Sequence, residues 1–156
     1  MRSDVRRPET PSLEDVFETD GRRLWWSVLA FAGDREIAHD AVAEAFAQAL
    51  NRGDALRDPA AWIWRTAFAV ARGELKRRGR SRPLEDEPTS MPEPVGLFEA
   101  LALLSPKQRA VIVLHHYAGY RLHEIGPMLG ITKGTAGVHL SRGRRRLREV
   151  LEERDG

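Results

Sequence analysis

Apolar positions recur at helical spacing through most of the chain and predict an all-α protein of three helices, a linker and four more helices. The first helix is predicted from about Leu13 to Ala32, ending at Gly33. Asp34 can accept an orphan amide hydrogen bond and so caps a second helix, Arg35 to Leu50. Along it Ile37, Ala38, Ala41, Val42, Ala45, Phe46, Ala49 and Leu50 form an apolar stripe. On the outward side Asp40, Glu44, Gln48 and Asn51 fall at i, i+4, i+8 and i+11. The stretch NRGDALRDP breaks the period as a loop. Asp58-Pro59 then reopens a helix with an N-cap and a proline at the first helical position, and this third helix runs to about Arg78.

Residues 79–95 hold four prolines and almost no large apolar side chain, which predicts an extended linker. At about 3.3 Å per residue it reaches roughly 55 Å, enough to separate two independently packed halves. The second half opens with a short helix, Leu97 to Leu104. Ser105-Pro106-Lys107-Gln108 is a capping box with proline at the first helical position, and its helix runs through Tyr117 to stop at Gly119. A short helix over Leu122 to Leu129, the turn Gly130-Ile131, Thr132 as N-cap and a last helix from Lys133 to about Leu151 complete the pattern. The resulting division is a flexible N-terminus over 1–12, a first domain over 13–78, a linker over 79–95 and a second domain over 96–151.

Charge sharpens this division. The formal net charge is only +2, but the segment from Arg72 to Arg82 carries +5, Pro83 to Ser105 carries −5, and Ser105 to Leu151 carries +7. Two basic blocks around an acidic one fit two surfaces that each meet a polyanion. The absence of cysteine excludes disulfides, thiol catalysis and the usual zinc ribbons. No apolar run of about 18 residues spans a membrane, and the basic N-terminus lacks the apolar stretch of a secretory signal. A cytoplasmic protein with no membrane partner is expected.

Helix, tight glycine turn, helix is a helix-turn-helix pattern, whose second helix would enter the DNA major groove. Its continuation, Ser141-Arg142-Gly143-Arg144-Arg145-Arg146, is dense in guanidinium groups that can grip phosphates bidentately. The run from Leu101 to Leu151, with its leucine-rich entry, Pro106-Lys107-Gln108-Arg109, Glu124-Ile125-Gly126 and Gly134-Thr135-Ala136, resembles the C-terminal domain of extracytoplasmic-function sigma factors. GDREIAHDAVAEAFAQAL is similar to that family's polymerase-binding helix, and DPAAWIWRTAFAVARGELKRR to its −10 element helix. The resemblance covers roughly residues 13–151, in the family's order and with a linker where the family has one.

The resemblance implies a role for each region. Asp40, Glu44, Gln48 and Asn51 would meet the β′ clamp helices of core RNA polymerase, with the β subunit as a further contact. The loop from Arg52 to Asp58 would hold a base flipped out of the −10 element, and Arg57, Asp58, Trp62, Arg65, Arg72, Lys76 and Arg77 would bind the melted −10 DNA. Thr132, Lys133, Thr135, Val138, His139, Ser141, Arg142 and Arg145 would bind the double-stranded −35 element. The acidic linker would thread toward the polymerase active-site channel. No residue would perform covalent chemistry and no cofactor is implied. The protein would be an alternative sigma factor, monomeric outside the holoenzyme, with an anti-sigma factor as a further partner.

Departures from the family pattern fall on both DNA surfaces. Arg65, Ala69, Arg72 and Lys76 make one stripe of the third helix, but the family usually has Asn at Ala69 and Asp at Gly73. In the recognition helix two usual bases are lost at Gly137 and His139. Gly137 also costs the helix about 1 kcal/mol relative to alanine. Pro127 removes one backbone hydrogen bond from the preceding helix.

Other signals are weaker. His123-Glu124 begins like a metalloprotease motif, but Pro127 stands where the second histidine belongs. Adjacent His115 and His116 point about 100° apart on a helix, so no metal site is expected. Trp25 and Trp26 read as core, whereas Trp62 and Trp64 border the loop and could stack on unpaired bases. Val138-His139 also suits a helix-turn-helix regulator of the response type, though the helical first half argues against a receiver domain. A sigma-like decoy that holds polymerase or an anti-sigma partner without initiating is the other alternative.

Overall fold

Helix boundaries in the computed structural model, which describes residues 10–78 and 96–155, follow the local capping chemistry. Ser12 accepts from the Asp15 amide at 3.1 Å while its own amide donates to the Asp15 carboxylate at 3.0 Å, and this box starts α1 (Leu13–Ala32). Gly33, at φ 67°, ends it in the left-handed conformation that glycine tolerates best. Asp34 accepts from the Ile37 amide and caps α2 (Arg35–Arg52), two residues longer than its apolar stripe indicates. A single 3₁₀ turn, Gly53–Ala55, leads to α3 (Pro59–Arg78), where Asp58 accepts from the Ala61 amide at 3.1 Å.

Four helices make the second half. These are α4 (Leu97–Ala102), α5 (Pro106–Ile112), α6 (Leu122–Leu129) and α7 (Lys133–Asp155). The capping box of Ser105 and Gln108 opens α5 as its spacing predicts. Beyond Ile112 the turn widens over Val113–Tyr117, and the Ala118 amide donates to the Val113 carbonyl, five residues back, at 3.0 Å. The single helix expected through Tyr117 is therefore corrected to an α-helix with a π-type end. The helix expected to reach Leu104 stops at Ala102. Among the described residues no strand occurs, and the all-α architecture stands.

The largest fully buried side chains include Trp64, Phe31, Phe68, Leu24, Leu29 and Ile63 in the first half, and Leu114, Ile125 and Val111 in the second. Each contributes about 1.5–3 kcal/mol on burial. On α7 the buried positions Ala136, Leu140, Gly143 and Val150 form one stripe toward the core. A Cβ at Gly143 would lie 3.0 Å from Ile112 Cγ1, so α7 and α5 meet there at glycine distance.

The expectation of two independently packed halves is corrected. Buried residues of both halves form one continuous cluster. Arg109 of α5 is buried and donates its Nε to the Phe31 carbonyl near the end of α1, at 2.6 Å. Arg72 of α3 donates Nη1 to the Leu129 carbonyl at the end of α6, at 2.7 Å. Each half thus places a cation on a helix C-terminus of the other, where carbonyls lack intrahelical donors and the dipole is negative. Trp64 and Tyr120 pack edge-on with centroids 5.2 Å apart, and Trp26 lies 6.3 Å from Phe98. The linker and the flexible N-terminus expected from composition lie outside the described residues, apart from the residues just before α1.

Candidate nucleic-acid interface

On α2, Asp40, Glu44 and Asn51 are exposed and Gln48 is half-buried, so the four share the outward face their spacing indicates. Gln48 Nε2 donates to Glu44 Oε1 at 2.8 Å. On α3, Arg65, Ala69, Arg72 and Lys76 are all exposed along one stripe. The two faces border the same open groove of about 1060 Å³, which Asp40, Glu44 and Gln48 line from one side and Arg65, Arg72 and Arg77 from the other. Pro127, Met128 and Gly130 of the second half close one end of it. An acidic wall faces a basic one.

The cations of α3 are not equally available. Arg77 pairs with Glu74 one turn away. Arg78 reaches Asp34, Glu36 and Glu74 within 3.4 to 3.9 Å. Arg72 is held by the Leu129 carbonyl, whereas Arg65 and Lys76 stand in solvent. Arg57 and Asp58 are exposed at the loop, but the Asp58 carboxylate already caps α3.

The two loop-proximal tryptophans separate. Trp62 is half-buried with Arg52 stacked over it, its guanidinium carbon 5.2 Å from the ring centroid. Trp64 is 0% exposed, and its indole N–H donates to buried Asp20 at 3.1 Å. Trp64 is therefore corrected from a candidate base-stacking ring to a core residue, because its polar edge is satisfied from within. Trp26 is buried as a core reading requires, whereas Trp25 is half-buried at the edge of the core.

In the second half, α6, the turn at Gly130 (φ 68°, ψ 33°) and α7 form the helix-turn-helix. Thr132 Oγ1 accepts from the Thr135 amide at 3.1 Å and donates to Thr135 Oγ1 at 2.9 Å, so the N-cap is Thr132 as its place before Lys133 indicates. Gly126 is required here: a Cβ would stand 2.7 Å from the Ile131 carbonyl oxygen. Thr132, Lys133, Thr135, Val138, Ser141, Arg142 and Arg145 are exposed and His139 is half-buried. Of these, Val138, Ser141, Arg142 and Arg145 lie away from the buried Ala136, Leu140 and Gly143 stripe. Burial, with Lys107 and Arg142 nearby, holds the His139 imidazole below its ordinary range and favours its neutral form.

Sequence reasoning passed over three residues that tie the site together. Arg109 stood in the family's Pro-x-x-Arg turn, and the structure places it against Phe31 by hydrogen bond and ring contact. Burial lowers its affinity for the proton. Asp20 holds Trp64 and pairs with Arg23 at 3.2 Å. Tyr120 packs on Trp64, and burial, then the charge of Asp20, pushes its hydroxyl well above the ordinary range. Asp20 and Arg109 were legible as charged residues on otherwise apolar helical stripes. His115 and His116 do meet, edge-on at 5.0 Å, because the turn is widened there. Arg144 Nε donates to His116 Nε2 at 2.9 Å, and burial together with Arg144 holds His116 below its usual range. Among the described residues no three His, Cys, Asp or Glu side chains gather where a metal ion would sit, and no helix is long and apolar enough to cross a membrane.

Comparison with known proteins agrees with this geometry. Residues 96–147, most of the helix-turn-helix half, match the Sigma-70, region 4 family. The chain is 30% identical over 164 residues to the RNA polymerase sigma-E factor of Streptomyces coelicolor, covering 94% of this chain and 90% of that one. It is 29% identical over 166 residues to the ECF RNA polymerase sigma factor SigL of Mycobacterium tuberculosis, covering 93% and 92% respectively. The fold matches the sigma factor RpoE of Bartonella quintana, solved in complex with the anti-sigma factor NepR, with a TM-score of 0.78 at 20% identity over 89% of this chain and 96% of that one. A basic helix-turn-helix, an acidic α2 face and a cationic α3 stripe thus occur in a chain with full-length relatives of one kind: the protein belongs to the extracytoplasmic-function RNA polymerase sigma factors and is an alternative sigma factor of transcription initiation.

Proposed function

We propose that this protein binds core RNA polymerase through the α2 face and promoter DNA through α3 and α7, working in the cytoplasm as a sigma factor without enzymatic activity or cofactor. Asp40, Glu44, Gln48 and Asn51 dock on the β′ clamp helices, and the β subunit supplies further contacts. Arg57, Asp58 and Trp62 hold the melted −10 strand at the loop, Arg65, Arg72, Lys76 and Arg77 follow its backbone, and α7 enters the major groove of the −35 element. Residues 13–78 and 96–151 are the two working domains. An anti-sigma factor would bind the free monomer.

The observation that carries this reading is the outward face of α7, where Ser141, Arg142 and Arg145 project beyond a tight Gly130 turn with Thr132 capping the helix. Phosphate contact by such cations fixes register on the duplex. Run-off transcription with core polymerase, the protein and fragmented genomic DNA from its source tests the proposal. Discrete transcripts that depend on the protein are expected, and aligning their start sites yields the promoter. Binding to core without transcripts would favour a decoy, and no binding to core would favour a regulator. Reversal of Asp40 and Glu44 to arginine is expected to abolish co-purification with polymerase while leaving the circular dichroism unchanged. Retained co-purification would exclude that face.

A further inference from the structure

Four glycines lie inside α6 and α7, and the fold needs only two of them. A Cβ at Gly126 would meet the Ile131 carbonyl oxygen at 2.7 Å, and one at Gly143 would meet Ile112 at 3.0 Å. At Gly134 the nearest atom to such a Cβ is Thr132 Oγ1 at 4.0 Å, and at Gly137 it is Leu122 Cδ1 at 3.7 Å, an ordinary contact. Neither residue has a positive φ. Internal packing and backbone geometry would accept alanine at both, and glycine weakens the start of the helix. A glycine that the fold does not require often marks a place where another molecule approaches the backbone closely.

These glycines flank the apolar side chain most open to solvent on this part of α7. Val138 is 46% exposed, and Gly134, Val138, Ser141 and Arg145 fall at i, i+4, i+7 and i+11, opposite the buried stripe. From Gly134 to Ser141 this face therefore carries a hydrogen, a valine and a short hydroxyl, with no guanidinium or carboxamide fork for bidentate pairing to guanine or adenine. The Ser141 hydroxyl can bond to any base and so discriminates little, which leaves the valine methyls as the selective group, and the apolar feature of the major groove is the 5-methyl of thymine. The arginines begin one turn later, at Arg142, where they suit phosphates.

We propose that Val138 is a specificity-determining residue that selects thymine in the upstream promoter element through its 5-methyl group, and that Gly134 and Gly137 let α7 seat deeply enough for that contact. The inference rests on the reading of α7 as the −35 helix and adds to it the chemistry by which the helix discriminates.

The test uses holoenzyme and a promoter fragment mapped by run-off transcription, prepared with thymine or with uracil in the −35 half only. Uracil lacks the methyl and is otherwise isosteric. Wild-type holoenzyme is expected to bind the uracil fragment about fourfold more weakly for each thymine contacted, the factor that burying one methyl-sized group is worth. Val138→Ala is expected to bind the thymine fragment as weakly as wild type binds uracil, and to be indifferent to the exchange. Gly137→Ala is expected to raise the melting temperature of the free chain while lowering promoter affinity, opposite signs that a purely structural glycine would not show. Equal binding of both fragments by wild type, continued sensitivity of Val138→Ala, or full affinity in Gly137→Ala would each overturn the proposal. Footprinting separates the two levels: a protected −35 half without a uracil effect sinks the methyl contact alone, and an unprotected −35 half sinks the reading of α7 as well.

Discussion

On α3 the cations Arg65, Arg72 and Lys76 line one side, and on α7 Arg142 and Arg145 do the same. In the chain the two rows look alike, arginine at helical spacing on a polar face. In the folded protein they diverge. Arg72 donates to the Leu129 carbonyl, and Arg77 and Arg78, further along α3, pair with Glu74, Asp34 and Glu36. Among the described residues neither Arg142 nor Arg145 makes a hydrogen bond or an ion pair, and Arg142 lies only near the His139 ring. Much of the positive charge of α3 is therefore satisfied by protein, whereas the outermost charge of α7 faces solvent. An arginine's contribution is set by what its fork reaches, and a helical wheel does not contain that information.

The arginine most committed to the protein should respond most to removal. Arg109→Ala is expected to lower the free energy of unfolding by about 3 kcal/mol, since a buried, charge-assisted donor and its packing go together. Arg72→Ala should cost about 1 kcal/mol, because its hydrogen bond lies at a partly solvated edge. Arg142→Ala with Arg145→Ala should stay within about 0.5 kcal/mol of wild type, as surface changes do. Urea titrations of the variants check the order, and equal losses at Arg109 and Arg142 would erase the distinction.

Salt dependence reverses that ranking. Each phosphate contact contributes about 0.9 to the slope of log affinity against log salt. The Arg142→Ala, Arg145→Ala double variant is expected to flatten the slope of holoenzyme binding by about 2 at every promoter tested. Arg65→Ala should flatten it by about 1, and Arg72→Ala by less, since its guanidinium must leave the Leu129 carbonyl to reach DNA. A base-specific loss in the double variant, with the slope unchanged, would assign these side chains to base reading.

The smallest effect concerns His116, an exposed ring that accepts from Arg144 of the basic tail. Its proton affinity is lowered in the folded chain by burial, by Arg144 and by His115, so the unfolded chain binds the proton more readily. The stabilisation from this contact is therefore complete above the ordinary histidine range. It is lost as pH falls through the lowered folded value. Taking the protein from about pH 8 to about pH 5 should loosen the end of the π-type turn against α7, and His116→Ala should remove that pH dependence. Nuclear magnetic resonance titration of the His116 ring checks the direction, and a raised value would reverse the assignment.

The parts of this protein legible in the chain are those decided within four or five residues. The caps at Asp34, Asp58, Ser105 and Thr132 and the glycine stop at Gly33 all occur where their residue types predict, because a short polar side chain and an orphan amide meet locally. The outward face of Asp40, Glu44 and Asn51 was legible for the same reason, being a statement about one helix. The seam between the halves was not. Arg109 reaches a carbonyl 78 positions away, and Arg72 one 57 positions away. No local period encodes such partners. The separately packed halves expected from the proline-rich stretch fail on that account, since composition predicts where a chain leaves the helical pattern but not what the elements on either side of it pack against. The widened turn at Val113–Tyr117 escaped because its apolar residues satisfy either helical repeat.

Aromatic packing across the seam gives this protein a built-in optical gauge. Two of its four tryptophans, Trp26 and Trp64, lie against Phe98 and Tyr120 of the other half, and the Trp64 indole is sealed from water beneath Arg23. If the halves part, both rings are wetted, and their emission moves to longer wavelength with no label attached. Trp26→Phe and Trp64→Phe assign the change to one end of the seam or the other. The chain, which carries no cysteine of its own, also accepts paired thiols across the same seam without background reaction. Colour and covalent trapping then become two independent readings of one internal contact.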